Sequence, residues 1–136
     1  MLKILKHIKS SWISKSHVAE KPWGIETRWA AHNSVAGKIL NIRSGERTSL
    51  KYNTLKDECL FLLTGKIEIQ YGNQHTLQDP VQNPFQYGVL VPGESFSVQS
   101  GCPYRITAVE DSQVIEISEA RFNSKTIRIE DDYGRE

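Results

Sequence analysis

Apolar residues recur along the chain in short alternating runs: Ile25 to Trp29, Val35 to Ile42, Leu60 to Ile69, Val89 to Val91, Phe96 to Val98, Tyr104 to Val109, Val114 to Ile117 and Ile127 to Ile129. The runs are rich in Val, Ile, Tyr and Phe, side chains that suit a pleated surface buried on one face. Turn residues mark the chain at Ala36-Gly37, Ser44-Gly45, Thr64-Gly65, Gly72-Asn73, Pro92-Gly93 and Ser100-Gly101. Many short strands with regular turn signals predict an all-β sandwich or barrel. Tyr71-Gly72-Asn73-Gln74 reads as a hairpin tip between two polar strands. Gln78 to Gly88, with Pro80 and Pro84, reads as one long polar loop, either a solvated connection or a cover over a site.

The first segment has a different period. Leu2, Ile4, Leu5, Ile8 and Trp12 stand at spacings of three and four in a lysine-bearing stretch, which predicts a short amphipathic helix laid on the domain. The expected organisation is a basic leader, helical or irregular, over 1–20 and a single domain over 21–136. No periodic segment of helix length follows the leader, which argues against an α/β fold. No apolar run approaches the roughly 20 residues that cross a bilayer, and the start lacks a long apolar core followed by a small-residue cleavage site. The expectation is a cytoplasmic protein.

Charge narrows the partners. A net charge of +1 over 136 residues supplies no global field toward nucleic acid or an anionic membrane. The two cysteines, Cys59 and Cys102, make neither a disulfide scaffold nor a CxxC pair.

Two stretches carry a resemblance. In the first, Gly45 is followed after five residues by Lys51, then after one by Asn53, after four by Glu58 and after six by Gly65. In the second, Gly93 and Gly101 are followed by Tyr104 and Ala108. These spacings resemble the two signature motifs of the cupin superfamily, which implies a cupin-type double-stranded β-helix, or jelly-roll, barrel. In that superfamily the positions of Lys51, Asn53 and Tyr104 are histidines that ligate a metal together with the Glu. Here Glu58 remains, Gln99 stands at the motif's Pro position and Ala108 at its Asn position.

The flanks narrow the resemblance. Glu20-Lys-Pro-Trp-Gly24 and Ile129-Glu-Asp-Asp-Tyr-Gly-Arg135 are similar to the ends of the cupin domain in type II mannose-6-phosphate isomerases, and Gly45-Glu-Arg-Thr-Ser-Leu50 matches that family as well. The likeness runs from about Glu20 to Arg135. It implies a sugar-phosphate ligand, with Arg47, Asn53, Lys56 and Arg135 as its binding residues and Arg135 capping the pocket mouth. It implies aldose–ketose isomerisation where the metal is kept, and a common cupin habit of forming homodimers.

The donor chemistry changes that expectation. Lys51 is a cation, Asn53 offers one neutral oxygen, and Tyr104 ligates only as a phenolate, so no tightly bound transition metal and no cofactor is expected. A buried Glu58 needs a partner, and Lys51 is placed to be its ion-pair partner. Three functions follow: a barrel that binds a sugar or sugar phosphate without a metal; a metal-independent isomerase or epimerase using Lys51, Glu58 and Tyr104 as electrophile, base and proton donor; or a structural or regulatory dimer with a filled pocket. Metal-free cupins such as the dTDP-4-keto-sugar epimerases move protons with a base and a tyrosine, although their His–Asp pair is not recognisable in this chain.

Overall fold

The computed structural model describes residues 8–30, 32 and 34–135. Its strands are β1 (His17–Lys21), β2 (Gly24–Arg28), β3 (Val35–Ile42), β4 (Leu50–Asn53), β5 (Glu58–Tyr71), β6 (Gln86–Leu90), β7 (Ser95–Val98), β8 (Tyr104–Glu119) and β9 (Thr126–Glu130). All pairings are antiparallel, and no helix occurs among the described residues.

Two long strands make one sheet into a curled half-barrel. The C-terminal half of β8 pairs with β3 through Val35↔Glu119 to Ile42↔Ser112, and with the start of β5 through Glu58↔Ser118 to Leu62↔Val114. Its N-terminal half pairs with the end of β5, Ile67↔Ala108 to Tyr71↔Tyr104, and with β4 at Lys51↔Tyr104. Strands β1, β2 and β7 extend the first half, and β6 and β9 extend the second. The bend falls where the β5–β8 register shifts, between Leu62 and Ile67. Gly65 sits there at φ +94°, and a Cβ on it would lie 2.2 Å from Ser112 Oγ, so this corner takes a glycine. Ser112 satisfies the interrupted ladder: its hydroxyl accepts from Lys66 N and bonds the carbonyls of Glu110 and Lys66.

Between the halves, Leu40, Ile42, Leu60, Leu62, Ile67, Ile69, Ile106 and Val114 form a buried apolar core, and Trp23 and Tyr104 close it toward the pocket end. The alternation read from the sequence thus selects the inward face. Tyr104–Glu119 is one strand, however, and not the two runs predicted. Polar residues 110–113 continue the ladder through the bend, where an interruption in hydrophobicity is not an interruption in pairing.

Two further expectations are corrected. Residues 8–16 have no regular structure, with Ile8, Trp12 and Ile13 exposed, so this part of the leader is not a helix packed on the domain. Leu2, Ile4 and Leu5 lie outside the described residues. Trp12 instead stacks on His32, with ring centroids 6.3 Å apart. Tyr71–Gln74 is not a hairpin tip, because Tyr71 pairs with Gln86 and residues 72–85 lie between. That connection is held by its own polar groups: buried Thr76 accepts from Asn73 N, and Asn73 donates from its side chain to Asn83. It does not line the pocket described below.

Arg105 ties the last strand to the barrel. It is 2% exposed, donates to the carbonyls of Thr48 (2.9 Å) and Glu130 (3.2 Å), and faces the carboxylates of Glu130 and Asp132. Arg105→Met leaves those carbonyls unsatisfied, at an expected cost of about 1–3 kcal/mol. A urea titration reads this as a lower midpoint at unchanged slope.

Candidate functional site

One end of the barrel interior is polar. A cavity of about 220 Å³ opens there, lined by side chains from both halves. Alternation explains its walls: Glu26 and Arg28 on β2, Lys38 on β3 and Glu116 on β8 share the inward parity of the core residues Leu40 and Val114.

The charged groups form a chain across this end. Arg28 Nε is 3.0 Å from Glu26, Lys38 Nζ is 3.3 Å from Glu26 and 3.9 Å from Glu116, and Lys56 Nζ is 3.9 Å from Glu58. Glu26, Glu58 and Glu116 are all buried. Burial alone would raise the Glu26 carboxyl, but Lys38, the Arg28 hydrogen bond and Lys21 outweigh it and hold it below the ordinary range. Glu58 is likewise held low against its burial by hydrogen bonding from Tyr104 and Glu116 and by the charges of Lys51 and Lys56. Glu116 moves the other way. Burial first, then the neighbouring Glu58 charge, push it up to about 7 in spite of Lys38. Of these two neighbouring carboxyls Glu116 therefore keeps its proton to higher pH and Glu58 ionises first, an order that suits acid and base roles.

The residues singled out in the sequence divide into three groups. Lys51, Asn53, Lys56, Glu58 and Arg135 line the cavity. Tyr104 lies behind it: the phenol is 1% exposed and donates to Glu58 Oε1 at 2.7 Å, and burial together with the Glu58 and Glu116 charges raises its pKa far above the ordinary value. Tyr104 therefore orients Glu58 and does not face a ligand. Arg47 lies outside the cavity lining and makes a two-point contact with Asp132, at 2.6 and 2.9 Å.

Lys51 is not in salt-bridge contact with Glu58, contrary to the expected ion pair. Its ammonium stands over the Tyr104 ring, 4.7 Å from the centroid. The pairing Lys51↔Tyr104 across β4 and β8 puts the aromatic face under the lysine, while Lys56, from the turn before β5, takes the place beside Glu58. Asn53 Oδ1 accepts from Thr126 at 3.0 Å. The chain end folds back, and Arg135 binds Asp131 through its backbone and guanidinium, holding that carboxyl at about 2. Tyr133 anchors the turn by donating to Glu46 at 2.6 Å.

No family model and no curated protein matches the chain. Solved structures do. A variant of oxalate decarboxylase from Bacillus subtilis superposes with a TM-score of 0.72 at 14% identity, over 90% of this chain and 34% of that one. KdgF from Halomonas sp. superposes at 0.62 and 15% identity, over 79% of this chain and 89% of that one. Vicilin from Solanum melongena, which has different anionic ligands in structurally similar pockets, superposes at 0.61 and 21% identity, over 70% of this chain and 26% of that one. The chain has the cupin fold. It spans about a quarter to a third of the length of the vicilin and the decarboxylase. No helix among the described residues is long and apolar enough to cross a membrane.

The metal that the cupin resemblance implies does not fit this donor set. Lys51 replaces one imidazole ligand and seats its nitrogen over the Tyr104 ring, the Asn53 oxygen is taken by Thr126, and one Glu58 oxygen is taken by Tyr104. A divalent ion needs several unshared nitrogen or carboxylate donors converging on one point. Protein purified without chelators is expected to carry under roughly a tenth of an equivalent of Zn, Mn, Fe or Ni by elemental analysis, since one shared carboxylate does not hold such an ion. Near-stoichiometric metal would show that the cavity rearranges to expose its carboxylates.

The sequence reading missed Glu26, Lys38, Glu116 and Arg128, all of which line the cavity. The signal was present in the alternation. Glu116 keeps phase with Val114, and Glu26 with Arg28, so charged residues stand at inward positions of otherwise apolar strands.

Proposed function

We propose that this cupin barrel binds a small anionic sugar, of the sugar-phosphate class, in its polar cavity without a transition metal. The carrying observation is charge. Seven basic side chains (Lys21, Arg28, Lys38, Lys51, Lys56, Arg128 and Arg135) surround the cavity against three acidic ones, Glu26, Glu58 and Glu116. The whole chain carries only +1, so the excess is local. Such an excess in a partly desolvated space favours an anion strongly. The volume of about 220 Å³ lies below the range of roughly 300–1,000 Å³ for drug-sized ligands, which suits one small metabolite and not an oligosaccharide. Anionic ligands in the pockets of vicilin, which shares the fold, support the same reading. The open cavity also weighs against a barrel filled by its own side chains.

Thermal unfolding with glucose 6-phosphate, inorganic phosphate and glucose tests the proposal. The phosphates are expected to stabilise, by about 2.7 kcal/mol at a hundredfold excess over Kd, and glucose is not. Lys56→Gln and Arg128→Gln weaken the effect. Equal shifts with glucose, or none with either phosphate at millimolar concentration, would overturn it.

A second reading, a metal-independent isomerase or epimerase, is favoured by the adjacent Lys51, Glu58 and Tyr104. Within it, Glu58 and Glu116 are the proton-transferring pair that line the cavity, and Tyr104 positions Glu58. Deuterium uptake from D2O at the carbon beside the carbonyl of hexose 6-phosphates tests it. Uptake at the uncatalysed rate would sink it.

A further inference from the structure

We propose that Lys51 is a nucleophilic amine that condenses with the open-chain carbonyl of the bound sugar to form an imine on its Nζ. This rests on the anionic-sugar reading and specifies what the pocket does with the carbonyl end of its ligand.

Position comes first. Lys38 and Lys56 also line the cavity, but both are in ion-pair contact with buried carboxylates. Lys51 instead stands on the face of Tyr104, which supports the amine without accepting a directed hydrogen bond from it. Its strand is paired on both sides, with Tyr104 on β8 and Arg128 on β9, which sets the lysine at the cavity wall with its nitrogen over the ring. The groups around it are Glu58 on β5, Glu116 on β8, Lys38 on β3 and Arg128 on β9. Burial, with the charges of Lys38 and Arg128, disfavours the ammonium, Glu58 and Glu116 favour it, and the balance falls below the ordinary lysine value. A desolvated lysine in a cavity is the form of this side chain that attacks carbonyls.

The neighbouring carboxyls supply the proton traffic. The Nζ lone pair attacks the carbonyl carbon, and the C=O π pair moves to oxygen, which takes the Glu116 proton. The nitrogen gives a proton to Glu58, leaving a carbinolamine. Its hydroxyl takes that proton back from Glu58 and departs as water while the nitrogen lone pair closes the C=N bond. Amine, carbonyl and the Glu116 proton thus become a protonated imine, water and the Glu116 carboxylate. No oxidant or reductant is involved.

The test uses glyceraldehyde 3-phosphate with cyanoborohydride, followed by peptide mapping of the wild-type chain. Glycerol 3-phosphate, which has the anion and no carbonyl, is the control. The expected result is reduced adduct on the peptide containing Lys51 ahead of the exposed Lys9, Lys66 and Lys125, slowed by glycerol 3-phosphate. In Lys51→Arg the adduct at that site is lost. The mapping is made on the wild-type chain, so it decides the question even where the variant does not fold. Labelling of Lys51 no faster than the exposed lysines, with glycerol 3-phosphate bound, overturns the imine and leaves the anion pocket standing. No stabilisation by glycerol 3-phosphate overturns the pocket reading, and the imine with it.

Discussion

Lys38→Met is expected to destabilise the protein by about 3 kcal/mol near neutral pH, the lower end of the cost of removing one partner from a buried ion pair. Lys38 holds two buried carboxylates at once, Glu26 at 3.3 Å and Glu116 at 3.9 Å, with its own side chain 24% exposed. Methionine fills the space of the stem but leaves both acids without their shared cation. Arg28 remains on Glu26 at 3.0 Å, yet its side chain is 61% exposed and screened, so it offsets only part of the loss. The effect has a pH signature. Glu26 has a folded pKa below its unfolded value of 4.5, so it contributes stability that is present above 4.5 and lost as pH falls through the folded value. The variant weakens that contribution, so its deficit against wild type narrows in acid. Urea midpoints at neutral pH and near pH 3.5 read both effects. The double variant Glu26→Leu with Lys38→Met should regain most of the stability, because a well-packed apolar pair lacks the desolvation cost of an ion pair. A single-variant loss under about 1 kcal/mol would mean that Arg28 alone satisfies Glu26.

Most of the strands were legible because burial in a barrel writes a period of two into the chain. The inward residues Leu60 and Leu62 alternate as that period requires, and after the register shift at the bend Ile67 and Ile69 resume it in the other phase. Lys51, Asn53, Lys56 and Glu58 were also legible as a group, since β4, a tight turn and β5 place them within a few residues of one cavity wall. Glu116 and Lys38 were not, because their meeting depends on the register between β3 and β8, and no local pattern specifies a register across that distance. The same limit explains Arg47. Its family position suggested a phosphate ligand, but Asp132, far away in sequence, returns on the folded tail and occupies its guanidinium. The pairing of Lys51 with Glu58 failed for a finer reason. Neighbouring strands give a lysine several partners, and the register sets Lys51 directly across from Tyr104, whose ring its ammonium covers, while Lys56 makes the contact with Glu58.

The stability of the wild-type barrel is expected to fall as pH rises from about 4.5 to about 7, and Glu116→Gln should abolish that slope. Glu116 has a folded pKa of about 7 against an ordinary 4.5, because it is buried beside the Glu58 charge. Between those values the native state binds a proton that the unfolded chain has released. The unfolding free energy therefore drops by roughly 1.4 kcal/mol per pH unit, or up to about 3 kcal/mol over the interval. Once pH has passed well above 7 the Glu116 contribution is fully lost and adds no further slope. The direction is opposite to that of Glu26, Glu58, Asp131 and Asp132, whose lowered pKa values build stability as pH rises toward 4.5. The two tendencies place the maximum near pH 4.5–5. Glutamine keeps the shape and a donor toward Glu58 but cannot ionise, so the variant should be flat across the window and no less stable than wild type above pH 7. Glu58→Gln separates the causes. Without the neighbouring charge, Glu116 titrates lower and the wild-type slope ends at a lower pH, whereas burial alone would leave it in place. Sulfate, which stays a dianion throughout, reads the same proton from inside the cavity. A protonated Glu116 removes one negative charge from the anion's surroundings, so sulfate stabilises wild type more at pH 6 than at pH 8. In Glu116→Gln the two values converge. An identical pH slope in Glu116→Gln and wild type would show that the proton lies elsewhere, and the acid–base assignment of the carboxyl pair would fall with it.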